Sequence, residues 1–274
     1  MSKIAFIGGG NMATAIIGGL VSGGETQPDL IHVSDPNQAQ LDELSEKTGV
    51  STTTDNLAAI TSADVVILAV KPQVMKDVLQ PLKATLEEQQ PLLVSIAAGI
   101  SLASMEKWSG CQNRVRCMPN TPALLGEGAT GLVASDSVTL DQKNQADQLL
   151  EATGITVWLQ DETEIDAVTA LSGSGPAYYF LLMESMIAAG QKLGLTEETA
   201  RQLTLKTALG AGRMAFEADV GPAELRRRVT SPGGTTQRAI ETFQDGEMPE
   251  LVEKAMTAAR DRAVELNILL SDAD

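Results

Sequence analysis

Short, nearly continuous apolar runs punctuate the first 160 residues, at 3–7, 30–34, 65–70, 92–96, 114–118, 130–134 and 155–159. Runs of this length without polar alternation suit strands buried on both faces. Between several of them the apolar positions recur at helical spacing, over 12–22, 38–48, 72–86 and 141–153. Pro72 suits the first turn of its helix, where a missing N–H costs nothing. This alternation predicts an α/β domain with a mostly parallel, doubly wound sheet covered by helices on both faces.

After about residue 160 the strand pattern stops. A helix is expected over 176–193, opened by Gly175-Pro176 and closed by Gly194. Thr196 then caps a second, with Glu197 and Glu198 in the first turn where the helix dipole favours them. Further helices are expected from Pro222, over 237–243 and over 249–269. Ala208, Gly210, Ala211, Gly212 and Ala215 on the second helix predict close approach to another helix, in an ordinary internal crossing or in a subunit interface. The boundary is set at the change of class, giving domains 1–160 and 161–274, the second all-α.

Composition narrows the function. With 20 Lys+Arg against 36 Asp+Glu the 274 residues carry a net charge of −16. That acidity argues against nucleic acid, which needs a basic footprint. No window offers the roughly 18 apolar residues of a membrane span, and the apolar start is too short for a signal peptide. Cys111 and Cys117 supply neither a disulfide framework nor a metal site, and His32 is the single histidine. A metal-free cytoplasmic protein is expected, working without a histidine-based mechanism.

The first strand runs into Gly8-Gly9-Gly10-Asn11-Met12-Ala13, a G-x-G-x-x-A pattern opening a helix. Gly8 permits the tight turn, Gly10 lets backbone approach a pyrophosphate, and Ala13 keeps helix and sheet close. The helix N-terminus turns free N–H groups toward phosphates. Strand, glycines, helix and second strand in order are the context of a Rossmann-type dinucleotide site. The second strand ends at Ser34-Asp35-Pro36-Asn37. An acid there can accept from ribose hydroxyls and repel a 2′-phosphate, which favours NADH, although a turn aspartate has the same appearance. The segments 69–72 and 96–99 follow the third and fourth strands and are expected to line the trough. Lys71 belongs either there or to the solvated surface.

Two further segments carry candidate chemistry. Met118-Pro119-Asn120-Thr121-Pro122 forms a proline-stiffened loop expected to face the nicotinamide. Ser231-Pro232-Gly233-Gly234-Thr235-Thr236 precedes a helix and is either a carboxylate cradle or a simple cap. Ser172-Gly173-Ser174-Gly175-Pro176 is a tight helix opening expected to serve capping.

In these motifs and their order, over nearly the whole chain, the sequence resembles the pyrroline-5-carboxylate reductases, with the stretch 222–236 the most specific. The resemblance implies reduction of 1-pyrroline-5-carboxylate to L-proline by hydride transfer from NAD(P)H, the last step of proline biosynthesis. It also implies a helical domain that dimerises, substrate bound near the dimer interface, and rings of dimers. NADPH is common in the family and NADH accepted by many members, in conflict with the local reading of Asp35. Motifs and resemblance together place the cofactor on Gly8, Gly9, Gly10, Asn11, Met12, Ser34, Asp35, Asn56, Ala69, Val70, Lys71, Pro72, Ala97 and Ala98. They place the substrate on Asn120, Gly233, Gly234, Thr235 and Thr236, with the Thr236 hydroxyl at the ring nitrogen as the catalytic group. The alternatives are a related imine or hydroxyacid reductase, or a non-enzymatic sensor of nicotinamide. A β-hydroxyacid dehydrogenase relies on a helical-domain lysine, and none occurs between Asp161 and Gln191.

Overall fold

The computed structural model describes residues 2–24 and 26–271. In the first half, β1 (Ile4–Ile7), α1 (Asn11–Ser22), β2 (Ile31–Ser34), α2 (Gln38–Thr48), β3 (Ser51–Thr53), α3 (Asn56–Ile60) and β4 (Val65–Leu68) follow one another. They lead through α4 (Met75–Leu79), α5 (Lys83–Gln89), β5 (Leu92–Ser95) and α6 (Leu102–Ser109) to β6 (Arg114–Met118). Then come β7 (Gly128–Ala134), α7 (Leu140–Glu151), β8 (Gly154–Trp158) and α8 (Glu164–Val168). The rest is helical: α9 (Gly175–Lys192), α10 (Glu197–Glu217), α11 (Pro222–Arg228), α12 (Thr235–Asp245) and α13 (Met248–Ser271).

The eight strands form one sheet in the order β3-β2-β1-β4-β5-β6-β7-β8. The first six pair parallel, β7 runs antiparallel to β6, and β8 follows β7 in parallel. Alternate residues of each central strand feed opposite cores. Ile4, Phe6, Val33, Ile67, Val94 and Val115 join α1, α2 and α7 on one face. Ala5, Ile7, Val66, Leu68 and Leu93 join Met75, Leu79, Leu86 and Trp108 on the other. Both faces are covered, which is why these strands show no polar alternation.

The helix expected over 72–86 is broken. A 3-10 turn at Pro72–Val74 precedes α4, and a second at Gln80–Leu82 separates α4 from α5. Pro81 is the reason, since it has no N–H to donate to the preceding turn. Helix α12 begins two residues ahead of its expected start, at Thr235.

Packing divides the chain at Ser174/Gly175, later than the change in pattern at 160/161. One unit comprises the residues up to Ser174 together with those from Ala259 on, and the other is Gly175–Ala258. Residues 161–174 stay with the sheet because α8 lies on it. A Cβ at Gly131 of β7 would come within 2.9 Å of Val168.

In the second unit α9 and α10 approach at Gly190, where a Cβ would lie 3.1 Å from that of Ala200. The small residues further along α10 serve no such crossing. Added Cβ atoms at Gly210 and Gly212 meet nothing within 4 Å, and Leu209 and Phe216 beside them are 64% and 77% exposed.

Candidate active site

The glycine loop is shaped by hard steric limits. Gly8 has φ +101°, and a Cβ on it would sit 2.6 Å from the Ala69 carbonyl oxygen. Its N–H donates to the Ser34 carbonyl at 2.7 Å, while Ala69 N–H reaches back to Ile7 at 2.8 Å. The turn is thereby locked to β2 and to the segment after β4, with Val70 packed beside it. Gly10, in contrast, faces empty space, for a Cβ there would touch nothing within 4 Å. Gly10 caps α1 with no side-chain hydrogen bond, so the N–H groups of Gly10, Asn11 and Met12 have no partner among the described residues. Room for close approach beside the amides at the N-terminus of a 12-residue helix is what a pyrophosphate requires. The residues present fit a dinucleotide.

Asp35 lies at the end of β2, as the sequence predicts, but its carboxylate is already engaged. Oδ2 accepts from Gly9 N–H and Oδ1 from Asn37 N–H, both at 2.9 Å. Ser34 is fully buried, and its hydroxyl donates to Asn56 Oδ1 at 2.7 Å. Asn56 opens α3, whose Asp55 cap accepts from Leu57 and Ala58. Gln40, which drew no attention in the sequence, donates to the Gly9 carbonyl. A groove of about 490 Å³ adjoins the loop, lined by Asn11, Thr14, Asn37 and Gln40 among others. Lys71 and Ala98 are exposed, Ala97 is buried, and Pro72 starts its 3-10 turn.

Asn120, which the sequence assigns to the substrate, is held by hydrogen bonds to two other backbone segments. Its Nδ2 donates to the Ser172 carbonyl at 3.1 Å and its Oδ1 accepts from Ala129 N–H at 3.0 Å. Both polar ends help tie three backbone segments together, and the second Nδ2 hydrogen stays available. The segment read as capping, 172–176, begins inside a π-helical turn, Thr169–Gly173, where Ser174 N–H bonds the Thr169 carbonyl at 2.7 Å. Such turns are frequent at functional sites. Gly173 leaves room for the Met118 side chain, whose Cε would lie 2.5 Å from an added Cβ.

In the second unit the 231–236 bend opens α12 with Gly233 at φ +70°. Gly233 N–H donates to Gln237 Oε1 at 2.7 Å and Gly234 N–H to the Ser231 carbonyl at 3.0 Å. These two amides are therefore occupied, because the bend closes on itself. The N–H groups and hydroxyls of Thr235 and Thr236, both exposed, have no partner among the described residues.

The cysteines are free and buried. Burial pushes the Cys111 thiol up to about 11 and the Cys117 thiol higher still, so neither is a nucleophile near neutrality. His32 lies on β2. Among the described residues no cluster of three His, Cys, Asp or Glu could hold a metal ion, and no helix is long and apolar enough to cross a membrane.

Comparison with known proteins converges on one family. A family model described as pyrroline-5-carboxylate reductase dimerisation matches residues 162–266, and one described as NADP oxidoreductase, coenzyme F420-dependent, matches residues 3–99. The pyrroline-5-carboxylate reductase of Pseudomonas aeruginosa is 55% identical over 266 residues, 96% of each chain. That of Vibrio alginolyticus is 44% identical, covering 97% of this chain and 98% of its own. Among solved structures, a pyrroline-5-carboxylate reductase from Coxiella burnetii superposes with a TM-score of 0.93 at 48% identity, covering 97% and 98%. The Plasmodium falciparum pyrroline carboxylate reductase, solved with NADP bound, superposes at 0.84 with 28% identity and the same coverage. With this degree of identity sustained along nearly all of its length, the chain belongs to the pyrroline-5-carboxylate reductase family.

Proposed function

We propose that this protein reduces 1-pyrroline-5-carboxylate to L-proline at the expense of NAD(P)H, the last step of proline biosynthesis. The observation that carries this reading is the 55% identity to a pyrroline-5-carboxylate reductase across both units, joined to a glycine loop whose open side and free amides suit a pyrophosphate. A bound reduced nicotinamide supplies the hydride. The protein's share of the work is positioning, because a protonated cyclic imine is already electrophilic at the carbon to be reduced. Orientation alone can lower such a barrier by several kcal/mol.

In this reading the pyrophosphate rests on Gly10, Asn11 and Met12, while Gly8 and Gly9 give the loop its shape. Asp35 and Asn56 attend the adenosine ribose, and the buried Ser34 hydroxyl holds Asn56 in place for it. Ala69, Val70, Lys71, Pro72, Ala97 and Ala98 line the trough. The substrate carboxylate is held by the amides of Thr235 and Thr236 at the N-terminus of α12, where the dipole favours an anion. Gly233 and Gly234 shape that bend. The Thr236 hydroxyl hydrogen-bonds the ring nitrogen and is the catalytic group, whereas Asn120 keeps its neighbouring segments in place.

The assembly in this proposal is a homodimer formed through the second unit, with dimers associating further into a ring. Support comes from the unpacked faces of Gly210 and Gly212 and the exposed Leu209 and Phe216 beside them. The reaction is placed in the cytoplasm, in keeping with two free thiols. An assay of pyrroline-5-carboxylate-dependent oxidation of NADPH and of NADH tests the activity directly. Turnover with either cofactor supports it, and none with both sinks it.

A further inference from the structure

The turn after β5 is held from behind by the far end of the chain. Gly99 has φ +75°, and a Cβ there would fall 2.7 Å from Leu270 Cδ1, with Asn267 Oδ1 at 3.7 Å. Leu270 packs on the cluster that contains Ala97 and Ile100. Asn267 is fixed at both ends. Its Oδ1 accepts from Arg116 Nη2 at 2.9 Å and its Nδ2 donates to Asp166 Oδ1 at 2.5 Å. Arg116 points off β6 with a side chain only 4% exposed, and its Nη1 donates to Glu162 Oε1 at 2.8 Å. Glu162 also accepts from Leu102 N–H at 2.9 Å, at the start of α6. The span from Gly99 to Leu102 is thus gripped at each end by one polar cluster and the helix that cluster anchors.

A buried guanidinium among carboxylates is a poor source of stability compared with apolar packing, but it fixes geometry sharply. We propose that Arg116 and Asn267, acting through Leu270, are positioning residues that set the Ala97–Gly99 turn for the reduced nicotinamide cofactor. In this role the last turns of α13 act as a strut for the trough. The inference rests on the reading above that this turn lines the cofactor.

The test uses the full-length protein and three variants, Leu270→Ala, Asn267→Ala and Ala98→Leu. Cofactor dissociation constants are read from the fluorescence of NADPH and NADH, beside steady-state kinetics and the thermal midpoint. Leu270→Ala and Asn267→Ala should each weaken cofactor binding roughly 3- to 10-fold, the range of remote positioning effects. At saturating cofactor, kcat and the KM for pyrroline-5-carboxylate should stay unchanged, a split that general loss of structure would not produce. Ala98→Leu adds bulk on the exposed side of the same turn and should weaken cofactor binding as well.

If Ala98→Leu weakens binding while Leu270→Ala and Asn267→Ala do not, the strut is overturned and the cofactor reading of the turn survives. If Ala98→Leu leaves binding intact, that reading of the turn falls, and the strut with it. A fall in kcat at constant cofactor affinity in the Leu270 and Asn267 variants also overturns the proposal.

Discussion

At the scale of single residues, occupancy of hydrogen-bonding groups decides which candidates are free to act. Thr236 offers a hydroxyl and an N–H that have no partner among the described residues. Thr236→Val keeps the shape and removes the hydroxyl, so kcat/KM for pyrroline-5-carboxylate should fall roughly 10- to 1,000-fold, as expected for one lost transition-state hydrogen bond. Steady-state kinetics at saturating cofactor measure this, and wild-type turnover would remove Thr236 from the mechanism. Asp35 is the opposite case, since its carboxylate braces Gly9 and Asn37. Asp35→Ser should therefore raise KM for both cofactors, through a looser loop. The ratio of kcat/KM for NADPH over NADH should rise at the same time, because a charge that repels a 2′-phosphate is gone. Parallel kinetics with the two cofactors separate these effects, and an unchanged ratio would leave Asp35 with the bracing role alone.

Among the elements, those with a strong apolar period were legible in the sequence and the short polar ones were not. β1, β2, β4, β5 and β6 fall where their apolar runs predict, for they are buried on both sides. β3 is Ser51-Thr52-Thr53 at the sheet edge, too short and too polar to leave a pattern. α3 and α8 have five residues each, shorter than any helical period can reveal. α6 did carry a signal, in Ser101 capping Ser104 N–H and Gly110 closing in the left-handed region. The glycine loop was legible because its glycines answer to local sterics. The engagement of Asn120 was not, since its partners Ala129 and Ser172 depend on how distant segments come together. Asn120→Ala leaves the Ala129 N–H and the Ser172 carbonyl without that partner, so it should lower the thermal midpoint by several degrees, on the order of 1–3 kcal/mol. Calorimetry checks it, and an unshifted midpoint would show that water replaces both bonds without loss.

At the scale of the whole molecule, the second unit is short of internal partners for its apolar surface. Leu193, Leu209, Phe216 and Leu251 are all more than 60% exposed. Large apolar side chains left uncovered in the region matched by the dimerisation family model mark an association site. Leu209→Glu combined with Phe216→Glu places two charges on one face of α10, two turns apart and beside Gly212. The oligomer should shift to smaller species in sedimentation velocity, with activity falling in proportion. A double variant that sediments like wild type would move the interface away from this face of α10.

The nucleotide-binding unit is assembled from two stretches of chain, one ending at Ser174 and the other beginning at Ala259. During translation those stretches leave the ribosome 85 positions apart (259 − 174), a delay on the order of ten seconds. Until the later stretch arrives, the nascent sheet carries Arg116 without Asn267 and Gly99 without Leu270. Completion of the dinucleotide fold is therefore a late, post-emergence event, timed by the synthesis of the helices that lie between.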